Sequence, residues 1–165
     1  MATYIQIGST VTVGAGGAAN VEFTSIPSSY TDLLIKLSAR NPDNYLNISF
    51  NGSTANLSSR TLGSNSSGAF STSATDGLIY GLSTPSSLTA NTFSNAEIYI
   101  PNYAGSTNKS FSIDAVTENN GTAITLALVA GLWSNTAAIN SVRLTGATGN
   151  LVQYTTATLY GISKS

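Results

Sequence analysis

Apolar and polar residues alternate along much of this chain, most cleanly over residues 96–118. Ala96, Ile98 and Ile100 fall on one face of an extended segment, with Glu97 and Tyr99 on the other. After a connector of turn formers, residues 101–108, Phe111, Ile113 and Ala115 share a face, with Ser112, Asp114 and Glu118 opposite. Pro101 has no N–H to give to a ladder, so the first strand is predicted to end there. The pair reads as an amphipathic hairpin whose apolar face needs further strands to cover it.

The same period recurs on either side. Ile5, Ile7, Val11 and Val13 oppose Gln6, Thr10 and Thr12, and Gly8-Ser9 predicts a bulge or bend between them. Residues 14–17 turn the chain, and Val21 and Phe23 continue the apolar pattern. Leu33, Ile35, Leu37 and Ala39 predict a core-facing strand, with Lys36 and Arg40 read as its solvent side. A further strand spans residues 45–50, and the Asn51-Gly52 that ends it is a strong hairpin signal.

Over residues 53–91 serine and threonine blur the pattern. Strands are expected near residues 60–62 and 78–82, with 63–68 as loop. Such a stretch is either an interaction arm or a tolerant surface loop. Strands follow at residues 124–133, 139–145 and 154–162, and no segment has a 3.6-residue apolar period. About eight to ten short strands with turn signals between them predict one all-β domain over residues 1–165, an antiparallel β-sandwich of jelly-roll type.

Composition excludes several classes. Only 8% of residues are charged, the net charge is -1 and 41% are hydrophobic, the opposite of a disordered chain. Cysteine is absent, so no disulfide holds the fold. The six basic residues, Lys36, Arg40, Arg60, Lys109, Arg143 and Lys164, are scattered singly, and no nucleic-acid partner is expected. The opening Met-Ala-Thr-Tyr-Ile-Gln-Ile lacks a basic region and a long apolar run, so no signal peptide is expected. The longest apolar stretch, residues 126–133, is far short of the ~20 residues that span a bilayer, so no membrane partner is expected.

Candidate chemistry is sparse. Without histidine there is no Ser-His-Asp triad and no histidine metal site. Seven acids remain, but the nearest strand pair, Asp114 and Glu118, would stand roughly 13 Å apart at the usual rise. Residues 14–17 lack the Lys-Ser/Thr ending of a phosphate loop, and residues 41–44 read as a Pro-Asp turn rather than a calcium loop. No enzymatic activity, cofactor or metal is expected. The candidate contacts are apolar and aromatic. Tyr4, Ile5 and Ile7 lie on a first strand suited to strand addition, while Tyr99, Tyr103 and Trp133 suit stacking on sugars or anchoring an interface. Trp133, at the end of an apolar strand, is read first as packing and second as an anchor.

Three segments carry a resemblance. They are Phe-Thr-Ser-Ile-Pro-Ser-Ser-Tyr-Thr-Asp-Leu at 23–33, Glu-Ile-Tyr-Ile-Pro-Asn-Tyr-Ala-Gly-Ser-Thr-Asn-Lys-Ser at 97–110, and Gln-Tyr-Thr-Thr-Ala-Thr-Leu-Tyr-Gly-Ile at 153–162. Each resembles a segment of a group of tailed-bacteriophage virion proteins; residues 53–91 have no such match. The resemblance implies a non-enzymatic structural protein, made in a bacterial host and carried in the virion. A short, one-domain chain suits a capsid decoration or cement protein, expected as a homotrimer on the major capsid protein or other virion proteins. The alternative is a tail-fibre or baseplate module that binds a receptor or carbohydrate. Residues 2–13 and 53–91 are the expected contact segments.

Overall fold

The computed structural model describes residues 2–121 and 124–163; Lys164 lies outside them. The strands are β1 (Thr3–Thr12), β2 (Asn20–Phe23), β3 (Asp32–Ser38), β4 (Arg40–Asn41), β5 (Tyr45–Phe50), β6 (Leu57–Asn65) and β7 (Gly68–Thr75), followed by β8 (Leu78–Tyr80), β9 (Thr84–Pro85), β10 (Asn95–Pro101), β11 (Lys109–Thr117), β12 (Thr125–Trp133), β13 (Val142–Gly146) and β14 (Thr156–Ser163). No helix forms among the described residues. The chain is all-β.

An eight-stranded antiparallel sheet runs β1-β14-β3-β10-β11-β12-β6-β7, and a four-stranded antiparallel sheet runs β2-β13-β5-β8. The short ladder β4-β9 is parallel. The two sheets pack as a sandwich, with the alternating residues of each turned inward. Ala96, Ile98 and Ile100 of β10 are buried, as are Phe111, Ile113 and Ala115 of β11, facing the other sheet's Ile48, Phe50 and Leu144. Phe50 joins the sheets, its ring 5.5 Å from that of Phe111 and 5.6 Å from that of Trp133. Along the chain, β1, β3, β10 and β14 of the large sheet are interleaved with β2, the β5–β8 pair and β13 of the small one, an order compatible with a jelly roll. The β6–β7 and β11–β12 pairs widen one sheet beyond that pattern.

Three local expectations are corrected. Asn51-Gly52 makes a tight turn closed by the Phe50–Ser53 bridge, yet β5 and β6 enter different sheets and are not a hairpin. Asn51 instead ties the turn to the segment before β13: its side-chain oxygen accepts from the Asn140 and Ser141 N–H groups at 2.8 and 3.2 Å. Residues 63–68 are not a loop, because β6 and β7 run through them and leave only Ser66 and Ser67 between strands. Serine-rich β6 has little strand signal of its own and is held by β12 along nine paired positions.

The third concerns Arg40, which is 5% exposed rather than solvent-facing. Its Nη1 donates to the Thr89 and Thr92 carbonyls at 2.9 and 2.7 Å, and its Nη2 to those of Ser86 and Leu88 at 3.0 and 2.8 Å. The loop between β9 and β10 is wrapped around this one cation.

Candidate functional site

The outer face of the large sheet and its two edges carry the exposed chemistry. β1 is an edge strand, paired with β14 on one side only. Its ladder runs from Thr3–Ser163 to Ile7–Leu159 and resumes at Val11–Ala157, with Gly8 at a φ of 68° inside the irregularity. This is the bulge expected from Gly8-Ser9. The small sheet covers β1 poorly: Ile5 is 42% exposed and Ile7 is half-buried. Both residues point to the same face, and beside them a shallow groove of about 320 Å³ separates Ile7 and Val11 from Phe23 and Ser25. The strand therefore offers a free backbone edge together with exposed apolar side chains, the features that support pairing with another strand.

On the opposite face, an aromatic and charged cluster spans β1, β14, β3 and β10. Tyr4, Leu34, Lys36, Glu97 and Tyr160 line a depression of about 290 Å³. Lys36 and Glu97 face each other across the β3–β10 ladder and form an ion pair. The hydrogen bond that Lys36 donates to the Glu97 carboxylate holds its ammonium above the ordinary pKa. Tyr99 donates to the Asp32 carboxylate at 3.0 Å; partial burial and then that bond push its phenol upward. Flat rings beside a fixed ion pair can stack on and hydrogen-bond a polar ligand. They do not form a nucleophile with an adjacent base. Among the described residues no group of three or more acids is placed to hold a metal ion.

The structure separates the sequence candidates. Tyr4 and Tyr99 lie on the outer face with Tyr160, which the sequence pattern did not single out, while Ile5 and Ile7 lie on the inner side of the edge strand. Tyr103 is corrected as a contact candidate and Trp133 keeps only its first reading, packing, because both are core residues, 0 and 2% exposed. The Tyr103 hydroxyl donates to the Pro27 carbonyl, and burial pushes its pKa up. Trp133 packs on Phe50, with the Lys109 ammonium 6.0 Å from its ring. Neither can present a ring to a sugar.

The chain matches no protein-family model and no curated protein. Residues 23–33, 97–110 and 153–162 meet in one corner of the fold. β14 pairs with β3 and β3 with β10. Thr31 N donates to Ile162 O at 2.8 Å, and Asn102 N donates to the Asp32 carboxylate at 2.9 Å. A Cβ on Gly161 would lie 2.3 Å from the Tyr30 ring, so that glycine is what lets the ring lie against β14. Those motifs are therefore scaffold for the edge strand and the tyrosine cluster beside them.

Sequence reasoning missed an outward row of leucines on β12 and β6. Its signal was the unbroken apolar run of residues 126–133, which reads as a strand covered on both faces. Only one face is covered.

Proposed function

We propose that this chain is a non-enzymatic structural protein of a tailed-bacteriophage virion, a capsid decoration or cement protein that binds the outer shell and stabilises it. The observation that carries the reading is β1, an edge strand with an open backbone row, an exposed Ile5 and a half-buried Ile7. Strand addition to a shell protein would cover both at once. The phage resemblance of the adjoining corner supports the same role, and a homotrimer fits the symmetry axes of a shell. Such a protein gains stability by mass action from its neighbours. The test is binding to expanded capsids by a chain lacking residues 2–8. Binding is expected to disappear while the far-UV spectrum of the sandwich is retained; unchanged binding would remove the edge strand from the reading.

A second reading, a tail module that binds a receptor or carbohydrate, is favoured by the Tyr4–Tyr160 depression with its Lys36–Glu97 pair. Glycan binding that vanishes in Tyr160→Ala would support it. Silence on a broad glycan array would count against it.

A further inference from the structure

The outer surface of β12, joined by Leu62 of β6, is apolar where a solvated sheet is polar. Leu62, Leu126, Leu128 and Leu132 stand outward and are 61, 49, 60 and 40% exposed. Leu128 faces Leu62 across one ladder, and Leu126 faces Val116 across the other. Both strands are interior to the sheet, so this stripe is not an edge effect. Serines flank it in register: Ser58 and Ser110 beside Leu132, and Ser112 beside Ala130. An apolar centre with a small polar rim is the anatomy of an interface, and contiguous apolar patches are uncommon on monomers.

Charge identifies what covers it. Among the described residues Lys36 pairs with Glu97 and Arg143 with Glu22. Arg40 and Lys109 are buried against carbonyls. Arg60 is left with no acid, its guanidinium reaching only the Ser71 hydroxyl at 3.2 Å. Asp114 is the matching acid: among the described residues it has neither a hydrogen bond nor an ion pair. Across its ladder it meets Glu97, a like charge already committed to Lys36. These two unpaired charges sit on opposite flanks of the leucines. Arg60 is in register with Ala130 on one side of β12, and Asp114 is in register with Leu128 on the other. A trough of about 510 Å³ lies between them.

We propose that this face binds a second copy of the same chain, leucine stripe against leucine stripe, with Arg60 of each copy set against Asp114 of the other. A surface with its cation on one flank and its anion on the other is complementary to itself. The contact is a property of the purified chain and does not depend on the shell-binding role.

Sedimentation velocity on the full chain from about 1 to 100 μM, spanning ordinary interface affinities, tests it. The wild type is expected above its 16.9 kDa monomer mass, and Leu128→Lys as a monomer with an unchanged far-UV spectrum. Arg60→Glu and Asp114→Lys are each expected to weaken association roughly tenfold, and the double reversal R60E/D114K to restore it. A wild type that stays monomeric, association indifferent to Leu128→Lys, or a double reversal no better than the single ones would overturn the proposal. A monomeric wild type whose capsid binding is lost in Leu128→Lys would put the shell on this face instead, and would also overturn it. Failure of the residue 2–8 deletion test touches only the shell-binding reading.

Discussion

Arg40 and Lys109 are buried cations whose partners are backbone carbonyls rather than acids. For Arg40 the planar fork matters, because one guanidinium gathers carbonyls from both ends of the loop between β9 and β10. Arg40→Met keeps the bulk and removes every donor. It is expected to cost about 3 kcal/mol in urea unfolding, from carbonyls left without partners, and to open residues 86–92 to limited proteolysis. Arg40→Lys should recover little of this, since one ammonium cannot span the loop. At Lys109, burial lowers the ammonium pKa below its ordinary 10.5. The unfolded chain then binds more protons than the folded one between the lowered value and 10.5, so stability rises with pH across that window. Thermal melts from neutral pH upward should show the rise, and Lys109→Met should abolish it. At the top of that range and beyond it Tyr103 acts in the opposite direction: its raised pKa makes folding resist ionisation, so stability falls as pH climbs past 10.

At the scale of elements, several strands are fixed by aromatic rings laid over glycines. Phe111 faces Gly131 in the β11–β12 ladder, and Phe70 faces Gly63 in the β6–β7 ladder. A Cβ at Gly131 would lie within 2.1 Å of the Phe111 ring, which itself leans on Phe50 of the other sheet. Gly131→Val is therefore expected to destabilise by about 2 to 3 kcal/mol in denaturant unfolding, by displacing the ring that joins the sheets. Gly77→Ala, at a φ of 77° and 2.1 Å from the Ile48 carbonyl, should be as costly. These glycines also explain which parts of the fold the sequence revealed. β10 and β11 were legible because Ile98 and Ile113 alternate with exposed residues in a period no helix shares. β3 was legible because Leu33, Ile35 and Leu37 keep that period, although Leu34 between them is buried too. β6 was legible only near residues 60–62 and β7 not at all, since Ser58, Ser59, Ser71 and Ser73 carry no preference. β6 takes its order from β12, and β7 from β6. Arg40 misled because a charge ending an apolar strand ordinarily faces water. Nothing local announces the carbonyls that arrive from residues 86–92. The tyrosine cluster was half visible: Tyr4 and Tyr99 were candidates, but Tyr160 joins them only through the β14–β3 register.

For the molecule as a whole, the open edge and the leucine stripe lie toward opposite ends of one sheet, so they can serve different partners at once. The tyrosine depression, by contrast, shares Tyr4 with the edge strand. A shell contact through β1 and a sister contact through Leu128 are geometrically compatible. Copy number in the particle distinguishes the uses. Quantitative mass spectrometry of purified virions should find this chain at a simple ratio to the major shell protein. A handful of copies per particle would move it to the tail and favour the tyrosine depression.

The pairing of β1 with β14 also has a consequence in time. β1 leaves the ribosome long before its partner, Thr156 to Ser163, has been made. Until then the middle of the chain can assemble, since β10, β11 and β12 are consecutive neighbours, while Ile5 and Ile7 wait beside an unfinished sheet. A chain cut short by translational arrest would lack β14 and so could not position its first strand. If β1 is the strand that grips a partner, incomplete chains lack a seated grip, and the fold itself proofreads which copies enter an assembly.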